Sequence, residues 1–141
     1  VSYIAESVSN LFKVKLMKML WYADALSYKM RGYALTGMVY RHINMGALPV
    51  GHYSLMNLEN LNVQEEESYN YDSMLHVYPT KGMDYGVLSE EDKLILDQVI
   101  QKFKDDKAKE IVDYMHQEKA YLETVAGEII PFSLAKEIRN F

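Results

Sequence analysis

The sequence predicts a mainly α fold: a single compact helical domain with a central buried helix and a small antiparallel β-hairpin. Three observations predict it. A stretch from about Leu11 to Arg31 is apolar around much of its circumference, as a helix packed on several sides must be. Apolar residues recur at helical spacing in several later segments. Between them, two β-prone stretches flank Asn70-Tyr71-Asp72, the pattern of a hairpin.

The elements follow in order. Ile4, Val8 and Leu11 share one helical face and give a short first helix, and either Ser9 or Asn10 can cap the next. In the second helix Met17, Leu20, Trp21, Asp24 and Tyr28 fall on one face, and Leu16, Met17, Leu20 and Trp21 are expected in the core. Gly32 stops this helix, with Lys29 and Arg31 in the last turn, where they offset the negative end of the dipole. Thr36-Gly37 is a turn, and Met38 to Ile43 is either a strand or an irregular connector. Pro49 suits the first position of a helix whose apolar residues include Tyr53, Met56 and Leu61. Gly46 to Tyr53 is therefore expected as a tight turn feeding a helix and packed on the Trp21/Asp24/Tyr28 face.

The hairpin strands are expected around Val63 to Tyr69 and Met74 to Tyr78. Ser89 caps the next helix, with Glu90, Glu91 and Asp92 in its positive first turn and Ile95, Leu96, Val99, Ile100 and Phe103 as its apolar stripe. Lys107 to His116 gives another through Ala108, Ile111, Val112 and Met115, and Pro131 starts the last, with Leu134 and Ile138 inward. No repeat or linker divides the 141 residues, so one domain spans residues 1–141. The chain opens on Val1 in residues that already read as helix, so it is expected to begin inside a longer polypeptide.

Composition narrows the function. With 49% apolar and 25% charged residues the chain is that of a globular domain. Its apolar runs are too short to span a bilayer and no cleavable leader is visible, so the plain reading is cytoplasmic. Zero cysteines remove disulfides and thiol catalysis. A net charge of −5 makes nucleic acid an unlikely ligand for this segment alone, because phosphate neutralisation needs clustered Lys and Arg. Twelve tyrosines suit an interface, and they also suit a core.

Catalytic patterns are missing from the sequence. His42, His52, His76 and His116 form no HExxH spacing. The one metal arrangement to weigh brings His42 and His52 together across the Gly46 turn with Asp24, and the bland alternative has the histidines bonding backbone near turns. No metal and no cofactor are expected. Ser54 and Ser133 lack a nucleophile elbow and there is no phosphate-binding loop, so the chain is read as no enzyme. Asp24 is the acid of interest, since a carboxylate on an apolar face is costly unless hydrogen-bonded. Either it anchors a neighbouring turn through backbone N–H groups or a tyrosine hydroxyl, or it belongs to a partner-binding pocket.

The string KLMKMLWYADALSYKMRGYALTG, followed by MVYRHINMGALPVGHYSLM, resembles the Panacea domain, the SocA-like antitoxin domain family. Lys15, Leu16, Lys18, Leu20, Trp21, Tyr22, Ala23 and Asp24 match its first block, with Gly32, Thr36 and Gly37 behind; Gly46, Pro49 and Tyr53 match its second. Two positions depart: Met45 stands where the family has an aromatic, and Ala47 where it has the first proline of Gly-Pro-Val-Pro. LSEEDKLILDQVIQKF and the residues to Phe132 follow the family's usual ending, so the likeness covers nearly the whole chain.

The resemblance implies an antitoxin-type interaction domain that binds and neutralises a cognate protein toxin of a bacterial or phage toxin–antitoxin operon, with self-association as a further option. The alternative is a transcriptional regulator whose DNA-binding module lies in an N-terminal region beyond this segment. The toxin contact is expected as an exposed patch of Tyr22, Tyr28, Tyr40 and Tyr53 beside His42, around a motif completed by Trp21, Asp24, Gly46 and Pro49; the alternative, favoured for any one of these rings, is that it packs in the core.

Overall fold

The computed structural model describes residues 1–67 and 73–141. Among them the chain is mainly helical, with two small antiparallel hairpins. Helix α1 (Ser2–Ser7) leads into α2 (Lys13–Arg31), and strands β1 (Tyr40–Ile43) and β2 (Gly46–Pro49) make the first hairpin. Helix α3 (His52–Met56) precedes β3 (Asn62–Glu67) and β4 (Ser73–Tyr78); α4 (Glu90–Phe103), α5 (Ala108–Met115), α6 (Lys119–Leu122) and α7 (Phe132–Ala135) complete the order.

Helix α2 is the longest element, and every residue from Lys15 to Ser27 is buried. It packs against α4, α5, α7, β2 and β4. Leu16, Met17, Leu20 and Trp21 all lie in the core, as their spacing requires. The helix ends at Gly32, whose φ of 80° is left-handed and whose N–H donates to the Tyr28 carbonyl. At its other end neither Ser9 nor Asn10 caps it. The helix starts at Lys13 after an extended Phe12, and Asn10 takes a positive φ of 54° in the turn instead. Arg31 joins the end of α2 to the start of α4 through Glu91 and Asp92. Ser89 and Asp92 form the reciprocal cap of α4.

The expected hairpin pairs Asn62 with Tyr78 through Glu67 with Ser73. Its anticipated Asn70-Tyr71-Asp72 turn, with Tyr69, lies outside the described residues.

The main correction concerns Gly46 to Pro49. This segment is a strand paired with β1 from Tyr40↔Pro49 to Ile43↔Gly46, so Met38 to Ile43 does contain a strand and Pro49 ends one. The backbone explains why proline fits there. His42 N–H donates to Glu128, and the Tyr40 carbonyl accepts from Ile130, so both residues turn their polar groups away from β2. Opposite Tyr40, the missing N–H of Pro49 would have pointed out of the sheet and costs no ladder bond. The helix begins after a left-handed Gly51 (φ 83°) and ends at Met56, short of Leu61. Pro131 likewise precedes α7 as its N-cap and is not its first residue.

Candidate functional site

The motif residues converge where the β1–β2 hairpin lies on α2. Asp24 has no exposed surface, and its carboxylate accepts three hydrogen bonds. Thr36 gives its backbone N–H (2.6 Å) and its hydroxyl (2.5 Å), and Tyr40 gives its hydroxyl (2.6 Å). Burial, and then the adjacent Asp24 charge, push the Tyr40 hydroxyl pKa well above its ordinary value. Thr36 also accepts from the Met38 N–H at 3.2 Å, which fixes the approach to β1. The donors are a turn N–H, a threonine hydroxyl and a tyrosine hydroxyl, and they come from Thr36 and Tyr40 and not from Gly46 to Tyr53.

Six residues earlier on α2, Lys18 is 1% exposed. Its ammonium donates to the outward carbonyl of Ala47 at 3.0 Å, and burial lowers its pKa to about 8. Gly46 packs directly on this side chain. A Cβ there would lie 2.9 Å from Lys18 Cε and 2.7 Å from Met115 Sδ, at a φ of 96° that already favours glycine. Lys15, also buried, donates to the Lys104 and Asp106 carbonyls and ties α2 to the α4–α5 turn.

His42 faces the opposite flank. Thr124 donates its hydroxyl to the Ala120 carbonyl, so its oxygen accepts the hydrogen bond from His42 Nδ1–H at 2.7 Å. The imidazole stacks on Tyr121 (centroids 3.6 Å apart), which in turn stacks on His116 (4.6 Å). Burial, followed by His116, lowers the His42 pKa. The Tyr121 hydroxyl is buried and, among the described residues, meets no partner in good hydrogen-bond geometry. His42, His52 and Asp24 therefore have separate partners and do not meet across the hairpin.

The expected patch of exposed tyrosines is not one surface. Tyr22 (0% exposed) and Tyr40 (1%) are core residues. Tyr22 packs edge-on against Trp21 and at a tilt against Phe103 and Phe141, and burial, then the Glu118 carboxylate, raise its pKa. Tyr28 is half-buried against Phe132. Tyr53 alone of the four is open, at 72%.

The structure adds surface residues that periodicity did not single out. Met45, in the hairpin turn, and Val39 and Val50, at its open end, are each about half exposed. Met45 also lines a mostly apolar groove with Phe12, Val14, Met74 and Ala108. Beside Tyr53, Lys13 Nζ lies 2.7 Å from His52 Nδ1 and 4.5 Å from the Tyr53 ring centroid. Among the described residues, no three His, Cys, Asp or Glu side chains are grouped to hold a metal.

Residues 16–121 match the family model described as Antitoxin SocA-like, Panacea domain. No curated protein and no solved structure matches the chain.

Proposed function

The chain belongs to the SocA-like antitoxin, Panacea-domain family, and from that premise we propose that it binds and neutralises the cognate toxin of a toxin–antitoxin operon. The observation that supports this reading most is the division of labour around the hairpin. The motif residues Lys18, Asp24 and Gly46, together with Tyr40, are spent on fixing β1 and β2 to α2. That rigid base presents Val39, Met45, Val50 and Tyr53, four exposed apolar or aromatic side chains on or next to the hairpin. Preorganised aromatic and apolar anchors are what a protein partner reads.

On this account the chain acts by occupancy and not by catalysis, and its toxin is cytoplasmic, as it is. No helix among the described residues is long and apolar enough to cross a membrane, which suits a partner in the same aqueous compartment. The departures at Met45 and Ala47 divide by exposure: Met45 is open and can set partner choice, whereas Ala47 is fully buried and cannot touch a partner.

The test is to purify the chain together with the product of the adjacent reading frame. A stable complex is expected, with Tyr53→Ala weakening it by about 30-fold if the ring is an anchor worth about 2 kcal/mol. A folded chain that never captures the neighbour contradicts the reading.

A further inference from the structure

Two basic side chains, Lys13 and His52, lie next to Tyr53, and among the described residues no acid is paired to them. Lys13 Nζ and His52 Nδ1 are 2.7 Å apart, a distance at which two cations would repel. His52 Nδ1 is therefore the acceptor, the ring is neutral, and its remaining proton sits on Nε2. Burial, then Lys13 and Lys18, lower the His52 pKa. Among the described residues Lys18 uses one of its three N–H donors, on Ala47. Among the described residues no ion pair includes Lys13, Lys18 or His52. In a chain of net charge −5, such an uncompensated basic cluster stands out from its surroundings.

We propose that Lys13 and His52 form an anion subsite that takes a carboxylate side chain of the partner protein, with the exposed Tyr53 ring as its apolar wall. Lys13 and His52 are half-buried and keep donors for a ligand: the unused N–H groups of the ammonium and the Nε2–H of the imidazole. Lys18 is buried with its ammonium on the Ala47 carbonyl and is not a contact for the ligand. Two contacting donors match the two oxygens of a carboxylate, whereas a dianionic phosphate asks for more donors than this pair supplies. The proposal rests on the toxin-binding reading, which it deepens by naming the chemistry of one contact.

The experiment has two arms. In the first, histidine ring signals of the purified chain are followed by NMR during titration with sodium acetate and, separately, sodium phosphate at constant ionic strength. Acetate should shift the His52 signals saturably and raise the His52 pKa, while His116 stays still, and Lys13→Gln should abolish the response. His52 signals that do not move, or that move equally in Lys13→Gln, overturn the subsite; a response to phosphate alone overturns the carboxylate assignment. In the second arm, Lys13→Glu should weaken toxin binding by about tenfold or more, and Lys13→Arg should preserve it. Equal binding by wild type and Lys13→Glu overturns the proposal. If the wild-type chain captures no toxin, the functional reading fails, and the acetate arm decides the subsite on its own.

Discussion

The Tyr40 hydroxyl donates to Asp24 Oδ2 at 2.6 Å, and this bond ties strand β1 to helix α2 inside the core. With the two Thr36 donors it satisfies a carboxylate that has no exposed surface. Asp24→Ala leaves three donors without an acceptor and should cost about 3 kcal/mol or more; Tyr40→Phe, which removes one donor, should cost about 1–3 kcal/mol. Urea unfolding midpoints measure both. An Asp24→Ala protein as stable as wild type would show that the bonds do not hold β1.

The core of α2 makes a second prediction. Leu20 is 3% exposed, so Leu20→Ala should cost roughly 2–5 kcal/mol, the range for deleting a buried leucine. A loss under about 0.5 kcal/mol in chemical denaturation would place this side chain outside the packed interior.

Gly46 and Gly32 both have left-handed backbones, but only Gly46 is crowded. Gly32→Ala should cost about 1–2 kcal/mol from its dihedral alone. Gly46→Ala adds an overlap with Lys18 and Met115 that forces them aside, for a further loss of about 1–3 kcal/mol. Thermal melts of the two variants should therefore separate clearly. Equal losses would show that the hairpin is not seated on Lys18.

Lys18 gives stability a pH dependence of defined sign. Its folded pKa is about 8 against an ordinary 10.5, so between these values the unfolded chain holds the extra proton. Stability from this group rises as pH climbs from about 8 to 10.5, by on the order of 3 kcal/mol, and below pH 8 the full cost of burying the charge is present. The measurement is the difference in unfolding free energy between wild type and Lys18→Met across that window, which cancels the tyrosines. The difference should move in favour of wild type as pH rises; a flat difference would mean that the amine is solvated.

Much of the helical architecture is legible in the sequence because its signals are local. Gly32 marks the end of α2, Ser89 with Asp92 marks the start of α4, and the core positions Leu16 to Trp21 follow from spacing. The β1–β2 hairpin is not legible, because Gly46-Ala47-Leu48-Pro49 has no β-branched residue and Pro49 reads as a helix start. Its strand character is imposed from outside, by Glu128 and Ile130 along one edge and Lys18 along the other. Tyrosine exposure is equally hidden, since a ring with a polar tip suits core and surface alike. That is why Tyr22 and Tyr53 carry the same expectation and meet opposite fates. Lys13 and His52 touch across 39 residues, a contact that no periodicity announces.

The central claim is that this chain neutralises a toxin by binding it. The most direct measurement is growth of cells expressing the adjacent reading frame, with and without residues 1–141. The account predicts growth arrest from the neighbour alone, restored when the chain is co-expressed. A neighbour that arrests growth whether or not the folded chain is present would contradict it.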